Sequence, residues 1–275
     1  MRASRIGAAL AVVTSLTATF AGADVVTVGA GLDNTLYEDP AGGLSNGQGV
    51  YLFTGRVGPN AGELLRRAVL AFDVAAHVPS GATINSVSLT LHMSKTVSGP
   101  NLATLHRLGA DWGEGDSNAG TPGGAGTASA TGDATWIHRF YDTDSWATPG
   151  GDFAPTASGT RMIDGVGFYV WSGSGMVADV QAWVDQPSDD HGWILLGNES
   201  ISMTAKRFDS REISAESFRP ALQIDFTFVP PLPPIPPAVP TASNWSAALL
   251  MAVFATVLIV GAGRGDSATL DSMDQ

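Results

Sequence analysis

Apolar and polar residues alternate along many short stretches of the chain. Between Val87 and Met93, apolar side chains occupy every second position, and polar side chains such as Thr90 lie between them. A period of two predicts a β-strand with one face in a core and the other in polar surroundings. Val166–Val170 and Leu222–Phe228 show the same alternation. Further strands are predicted at Asp24–Val28, Gly49–Phe53, Arg67–Phe72, Ala103–Leu108 and Trp193–Gly197.

One segment has helical spacing instead. Between Met176 and Val184, the valines at 177, 180 and 184 fall on one side of a helix, and the segment ends at Gln186-Pro187. A short helix closing one end of the fold is therefore predicted. The many strands and their long glycine-rich connections favour an all-β fold, an antiparallel β-sandwich of jelly-roll-like type, in one domain over residues 24–229.

The first 23 residues have the pattern of a secretory signal peptide. Arg2 and Arg5 precede a short apolar run over Ile6–Leu16, and small residues follow at positions 21–23. This pattern predicts a signal peptide at residues 1–23 that is cleaved near Ala23. The protein is therefore predicted to be exported.

The other end of the chain has the pattern of a stalk and an anchor. Residues 230–244 are a proline-rich linker, which is stiff and extended. Residues 245–264 are apolar after Trp245 and predict a transmembrane helix, and residues 265–275 are an acidic tail. The membrane is thus a predicted partner, and the predicted location is the cell envelope or the extracellular surface.

Composition limits the function further. The net charge of −12 at pH 7 argues against nucleic-acid binding, which requires a basic face. The chain has no cysteine, so disulfides, cysteine zinc sites and thiol catalysis are excluded. His-Glu-x-x-His and Ser-x-x-Lys motifs are both absent from the sequence. A non-catalytic protein is expected.

Carboxylates cluster in one loop. Asp111, Glu114 and Asp116 surround Trp112-Gly113, and two more aspartates lie at 142 and 144. Oxygen ligands of this kind bind Ca²⁺ in loop-rich β proteins, and a pair of carboxyl groups performs glycoside cleavage. The third interpretation is that these are solvated loop acids. Calcium is therefore one candidate cofactor, with Asp111, Glu114 and Asp116 as its ligands.

Tryptophans in polar loops indicate a binding function. Trp112, Trp136 and Trp146 lie in segments rich in Gly, Asp and Thr, where exposure is expected. An exposed indole offers a flat apolar face to a sugar ring, and Arg139 and Arg211 are candidates to bind its polar groups. The alternative is that the three indoles fold back to plug the ends of the sandwich. The remaining tryptophans of the predicted domain, Trp171, Trp183 and Trp193, follow the apolar periodicity and are expected in the core.

Several segments in the same order resemble the DNRLRE domain family. They are Arg67–Asp73, Pro79–Ile84, Asp111–Gly115, Thr135-Trp136 with Trp146 and Pro149–Asp152, Asp179–Trp183, and Phe208–Glu212 with Arg219-Pro220. The resemblance covers most of residues 24–229. It implies a β-sandwich of carbohydrate-binding-module type on an exported protein, with a polysaccharide as partner.

The linker and anchor resemble bacterial sorting signals of the PEP-CTERM and IPTL-CTERM type. The residues are Val239–Ser246, followed by the apolar run. The resemblance implies a membrane sorting protease as a further partner. Ser246 stands where glycine is usual, and the single Arg264 replaces a basic cluster.

These patterns lead to one main hypothesis and two alternatives. The main hypothesis is an exported, membrane- or surface-anchored, non-catalytic module that binds a polysaccharide through Trp112, Trp136, Arg139, Trp146 and Arg211. The first alternative is a structural protein of the cell surface or extracellular matrix. The second is a glycoside hydrolase or polysaccharide lyase that uses the loop carboxylates.

Overall fold

The computed structural model of the protein describes residues 22–231 and residue 234. This part contains one α-helix, α1 (Ser174–Asp185), and fifteen strands that pair antiparallel throughout. The strands are β1 (Gly22–Gly29), β2 (Leu32–Tyr37), β3 (Leu44–Ser45), β4 (Tyr51–Arg56), β5 (Leu65–Ala71), β6 (Thr83–Thr96), β7 (Asn101–Arg107), β8 (Thr127–Ala128), β9 (His138–Phe140), β10 (Asp144–Ser145), β11 (Gly159–Ile163), β12 (Gly167–Ser172), β13 (Trp193–Leu196), β14 (Lys206–Asp209) and β15 (Ala221–Phe228). Each predicted strand and the predicted helix are confirmed within a few residues.

Eleven of the strands form one curled antiparallel sheet rather than two separate sheets. Its first half contains β1, β15, β6, β12 and β14, and its second half contains β2, β5, β13, β7 and β11. Strand β4 joins them, because Tyr51–Thr54 pairs with β14 while Gly55 and Arg56 pair with β5. Gly55 has a backbone φ of 99°, which residues other than glycine rarely adopt. It lies where the strand changes partner.

The main hydrophobic core lies on the inner side of both halves. Leu89 and Leu91 of β6 and Leu70 of β5 contribute fully buried side chains. Helix α1 adds Met176, Val180, Trp183 and Val184 to the same core, and Val177, the third valine of the predicted side, is only partly buried. The expected burial of Trp171, Trp183 and Trp193 is confirmed.

Strand β12 has the opposite orientation to the one its alternation suggested. Val166, Phe168 and Val170 are exposed, and Trp171 faces the core. Trp171 pairs across the sheet with the buried Leu89, so the neighbouring strand places its indole inside. The alternating apolar set of this strand therefore lies on the outer surface.

The two predicted terminal segments fall largely outside the described residues. Of the predicted signal peptide, only Gly22 and Ala23 are described, and they belong to β1, where Gly22 pairs with Phe228. The predicted transmembrane segment at 245–264 and the acidic tail are not described. Among the residues that are, no helix has the length and apolar character needed to cross a bilayer.

Candidate functional site

The predicted binding tryptophans are buried in a second hydrophobic cluster. Trp112 is 4%, Trp136 8% and Trp146 5% exposed, so the expected exposure of their rings is wrong. They pack with Val69 of β5 and Ile194 of β13 on the outer side of the second half of the sheet. The long segment between β7 and β11 thus folds back over this side and covers it. This packing agrees with the alternative stated above, in which the three indoles fold back onto the protein instead of facing solvent.

The indole N–H groups of Trp112 and Trp146 and the ring of Trp136 also make contacts within the protein. Trp112 Nε1 donates to the His191 carbonyl at 3.0 Å, and Trp146 Nε1 donates to the Thr135 carbonyl at 3.0 Å. The guanidinium carbon of Arg67 lies 4.7 Å from the centre of the Trp136 ring. A sugar ring therefore meets no open indole face at these positions in this structure.

Arg139 is held by acidic side chains. It forms an ion pair with Asp111, and its Nη2 lies 3.6 Å from Asp144 Oδ1. Its guanidinium also lies 5.2 Å from the Phe140 ring. Arg139 therefore ties β9 to the loop of Asp111.

The structure does not bring the predicted calcium ligands together. Asp111 and Asp116 are exposed, whereas Glu114 is buried. Within residues 22–231, no group of three or more His, Cys, Asp or Glu side chains is placed to hold a metal ion. Calcium binding by these residues therefore gains no support from their geometry and stays a prediction from the sequence.

Glu114 instead belongs to a buried acid cluster, which consists of Asp33, Glu114, Arg211 and Glu212. Glu114 Oε1 accepts hydrogen bonds from the Asp33 backbone N–H and from Arg211 Nε, each at 2.8 Å. Arg211 Nε also lies 3.0 Å from Glu212 Oε1. Burial raises the pKa of Glu114 to about 7, against the stabilising bonds from Asp33 and Arg211.

Asp33 is the most enclosed member of this cluster. Its Oδ2 accepts a hydrogen bond from the Arg211 backbone N–H at 2.7 Å. Its Oδ1 and Glu212 Oε2 have no donor in the described part of the chain. Burial, and then repulsion from Glu212, raise the pKa of Asp33 well above its ordinary value. The predicted ligand residue Arg211 therefore neutralises buried carboxylates.

A group of aromatic and polar side chains lies on the outer side of the first half of the sheet. We call it the aromatic face, and it consists of Tyr51, His92, Ser94, Phe168, Arg207, Asp209 and Phe218. The rings of His92 and Phe218 stack with centres 4.0 Å apart and planes 12° apart, and the Phe168 ring lies 4.7 Å from His92. Phe168 is 53% exposed. The aromatic face thus presents open ring surface, which the three loop tryptophans do not.

Polar groups frame these rings. His92 Nδ1 and Asp209 Oδ2 are 2.5 Å apart. The guanidinium carbon of Arg207 lies 3.7 Å from the centre of the Tyr51 ring, and Arg207 Nε donates to Ser94 Oγ at 3.0 Å. The Nη atoms of Arg207 have no hydrogen-bond partner among the described residues. This face therefore combines the exposed Phe168 ring with the guanidinium of Arg207, while the buried Asp209 contacts His92.

Sequence reasoning missed the aromatic face because it placed Phe168 in the core and gave His92 no role. A sequence signal for this face was nevertheless present: the other alternating set of β12 contains Tyr169 and Trp171, so aromatic residues occupy both sides of this strand.

The DNRLRE resemblance rests on the sequence segments alone. Neither a protein-family model nor a curated protein matches the chain.

Proposed function

We propose that the protein is an exported, non-catalytic module that binds a polysaccharide and is held at the cell envelope by its C-terminal segment. The observation that carries the proposal is the exposed Phe168 ring beside the stacked rings of His92 and Phe218. Aromatic rings bind the C–H faces of sugar rings, and neighbouring polar groups bind the hydroxyls. Such binding requires no nucleophile and no metal.

The exposure of β12 supports a binding role. Three neighbouring positions of one face, Val166, Phe168 and Val170, leave large apolar side chains in water. Contiguous exposed apolar surface framed by polar groups is typical of ligand and partner sites. Arg207 of β14, which pairs with β6 as β12 does, provides a polar group beside this surface. A sugar chain lying across β12, β6 and β14 would contact both kinds of group.

The hydrolase or lyase alternative has weaker support. Its candidate acids Asp111 and Glu114 are each engaged by an arginine, Arg139 and Arg211 respectively. The polysaccharide-binding proposal also includes a jelly-roll-like sandwich, a membrane segment and a sorting signal. These three features rest on the sequence patterns.

The test is a titration of the full chain, reconstituted in phosphatidylcholine nanodiscs, with a panel of neutral and acidic polysaccharides. We expect saturable binding to at least one of them by isothermal calorimetry. Phe168→Ala should weaken it by about tenfold, the equivalent of about 1.4 kcal/mol. Ile201→Ala is the matched control, because Ile201 is equally exposed but lies in a loop outside the aromatic face.

Two other outcomes would be informative. Polysaccharide binding could survive Phe168→Ala and disappear in a Trp136→Ala variant that is still folded. This result would mean that the loop tryptophans, and not Phe168, contact the polysaccharide. No binding by the folded protein to any member of the panel would overturn the proposal and favour a structural role at the cell surface.

A further inference from the structure

A cavity of about 630 Å³ shares one lining residue, Arg207, with the aromatic face. It is bounded by the turn between β4 and β5, by the glycine-rich loop at 122–125 and by the ends of β6 and β14. Its wall is largely apolar, with Phe53, Val57, Leu64, Val97 and Ala205 among the lining residues. Volumes of this order are usual for small-molecule sites. We call this cavity the basic groove, because its charged lining residues are cations.

The charged residues that line the groove are all cationic. They are Arg66, Lys95, Lys206 and Arg207, and no aspartate or glutamate of the described residues lines the cavity. This is unexpected in a protein with a net charge of −12. None of the four cations forms an ion pair with a carboxylate in the described part of the chain.

Two of these cations are already satisfied by the protein. Lys206 Nζ donates to Thr96 Oγ1 at 2.7 Å and to backbone carbonyls of the turn after β6. Arg66 donates to the carbonyls of Leu65 and Gly124. These two residues raise the positive potential of the groove, and each already donates two or more hydrogen bonds within the protein.

The other two cations are adjacent and available. Lys95 and Arg207 are cross-strand partners in the pairing of β6 with β14. Like charges at such positions repel each other and destabilise a sheet. Lys95 Nζ and the two Nη atoms of Arg207 have no hydrogen-bond partner within residues 22–231. The pair therefore has the chemistry of an anion-binding site at the edge of an apolar cavity.

We infer that the basic groove binds a single-chain amphiphile with a carboxylate head, a free fatty acid, whose chain lies against Val57 and Leu64 and whose head lies between Lys95 and Arg207. A sugar chain fits this cavity poorly, because most of its wall offers no donor or acceptor. This site is distinct from the proposed polysaccharide surface, although Arg207 borders both.

The experiment uses the full chain in phosphatidylcholine nanodiscs, with empty nanodiscs as the blank, and titrates it with decanoate and with 1-decanol. We expect saturable binding of decanoate and at least tenfold weaker binding of decanol. Lys95→Glu should weaken decanoate binding at least tenfold, whereas Lys95→Arg should keep it. Ala61→Trp, which places a large ring in the apolar part of the groove, should abolish it.

Equal binding of decanoate and decanol would overturn the inference, as would unchanged decanoate affinity in Lys95→Glu. Phe168→Ala separates the two sites, because it should weaken polysaccharide binding and leave decanoate binding unchanged. Loss of both ligands in Phe168→Ala would show one shared surface and would also overturn the inference.

Discussion

Arg211 donates from Nε to Glu114 Oε1 at 2.8 Å, and this contact joins residues that are 97 positions apart in the chain. The ion pair lies in the buried acid cluster, where Glu114 and Glu212 share one guanidinium and Asp33 accepts from the Arg211 backbone N–H. Burial of uncompensated negative charge favours protonation. The pKa values of Asp33, Glu114 and Glu212 are accordingly all raised, with burial as the largest cause.

The acid cluster predicts that the protein is more stable in mild acid than in mild base. Glu114 has an ordinary pKa of 4.5 and a folded-state pKa of about 7. A carboxyl group of this kind binds more protons folded than unfolded, so its stabilising contribution is complete below about pH 4.5 and is lost as the pH rises through about 7. The free energy of unfolding in urea should therefore be about 2–3 kcal/mol lower at pH 8 than at pH 5.

Glu114→Gln is the control for this prediction. The amide has the same shape, keeps an acceptor for the Asp33 N–H and does not titrate. We expect its free energy of unfolding to vary less between pH 5 and pH 8 than that of the unchanged protein. The same variation in both proteins would show that other groups cause it.

The second prediction concerns the buried tryptophans and tests whether their rings are packed, as in the structure, or exposed in loops, as the sequence suggested. Trp136→Ala should lower the free energy of unfolding by about 3–5 kcal/mol, because it empties a packed site against Val69 and Ile194. Trp112→Phe should cost about 1 kcal/mol, since it keeps a ring and removes the bond to the His191 carbonyl. Chemical denaturation measures both, and changes near zero would mean that the rings are exposed.

The strands could be predicted from the sequence because a period of two is a local property. The orientation of β12 could not, since apolar residues occupy both of its sides and the choice depends on the register that places Trp171 opposite Leu89. The packing of the segment between β7 and β11 over the second half of the sheet also depends on contacts between residues far apart in the chain. Its signal is the continuous apolar run of β5 and β13, where Val69 and Ile194 alternate with Ala68 and Leu195, as in strands buried on both sides.

The candidate site was harder to predict than the fold. Rings of the aromatic face come from β4, β6, β12 and the segment after β14, so no stretch of sequence contains them together. Arg211 was predicted to bind a ligand, but the structure pairs it with Glu114, which lies far away in the chain and is buried. Residue types alone therefore indicated binding chemistry without indicating which groups remain open to a ligand.

Gly55 provides a third prediction, about the strand that joins the two halves of the sheet. A Cβ atom at this position would lie 2.9 Å from the Thr204 carbonyl oxygen, and the φ of 99° is strained for any other residue. Gly55→Ala should therefore lower the free energy of unfolding by about 1–2 kcal/mol or more. Gly29→Ala is the matched control, because Gly29 also lies in a strand and a Cβ there would meet nothing within 4 Å. Equal losses in the two variants would contradict the role of Gly55.

Lys206 provides the last prediction, because its ammonium group holds the turn after β6. Its Nζ donates to Thr96 Oγ1 and to the carbonyls of Ser98 and Gly99, and its stem is fully buried. Lys206→Met keeps a stem of similar length but leaves these acceptors without their donor, so the free energy of unfolding should fall by about 1–3 kcal/mol. Hydrogen exchange should quicken locally at residues 96–101, since the turn loses the group that gathers its carbonyls. Lys95→Met, at an exposed position of the neighbouring strand β6, should leave both measurements nearly unchanged. A variant at 206 as stable as the one at 95 would show that the buried ammonium contributes only its aliphatic stem.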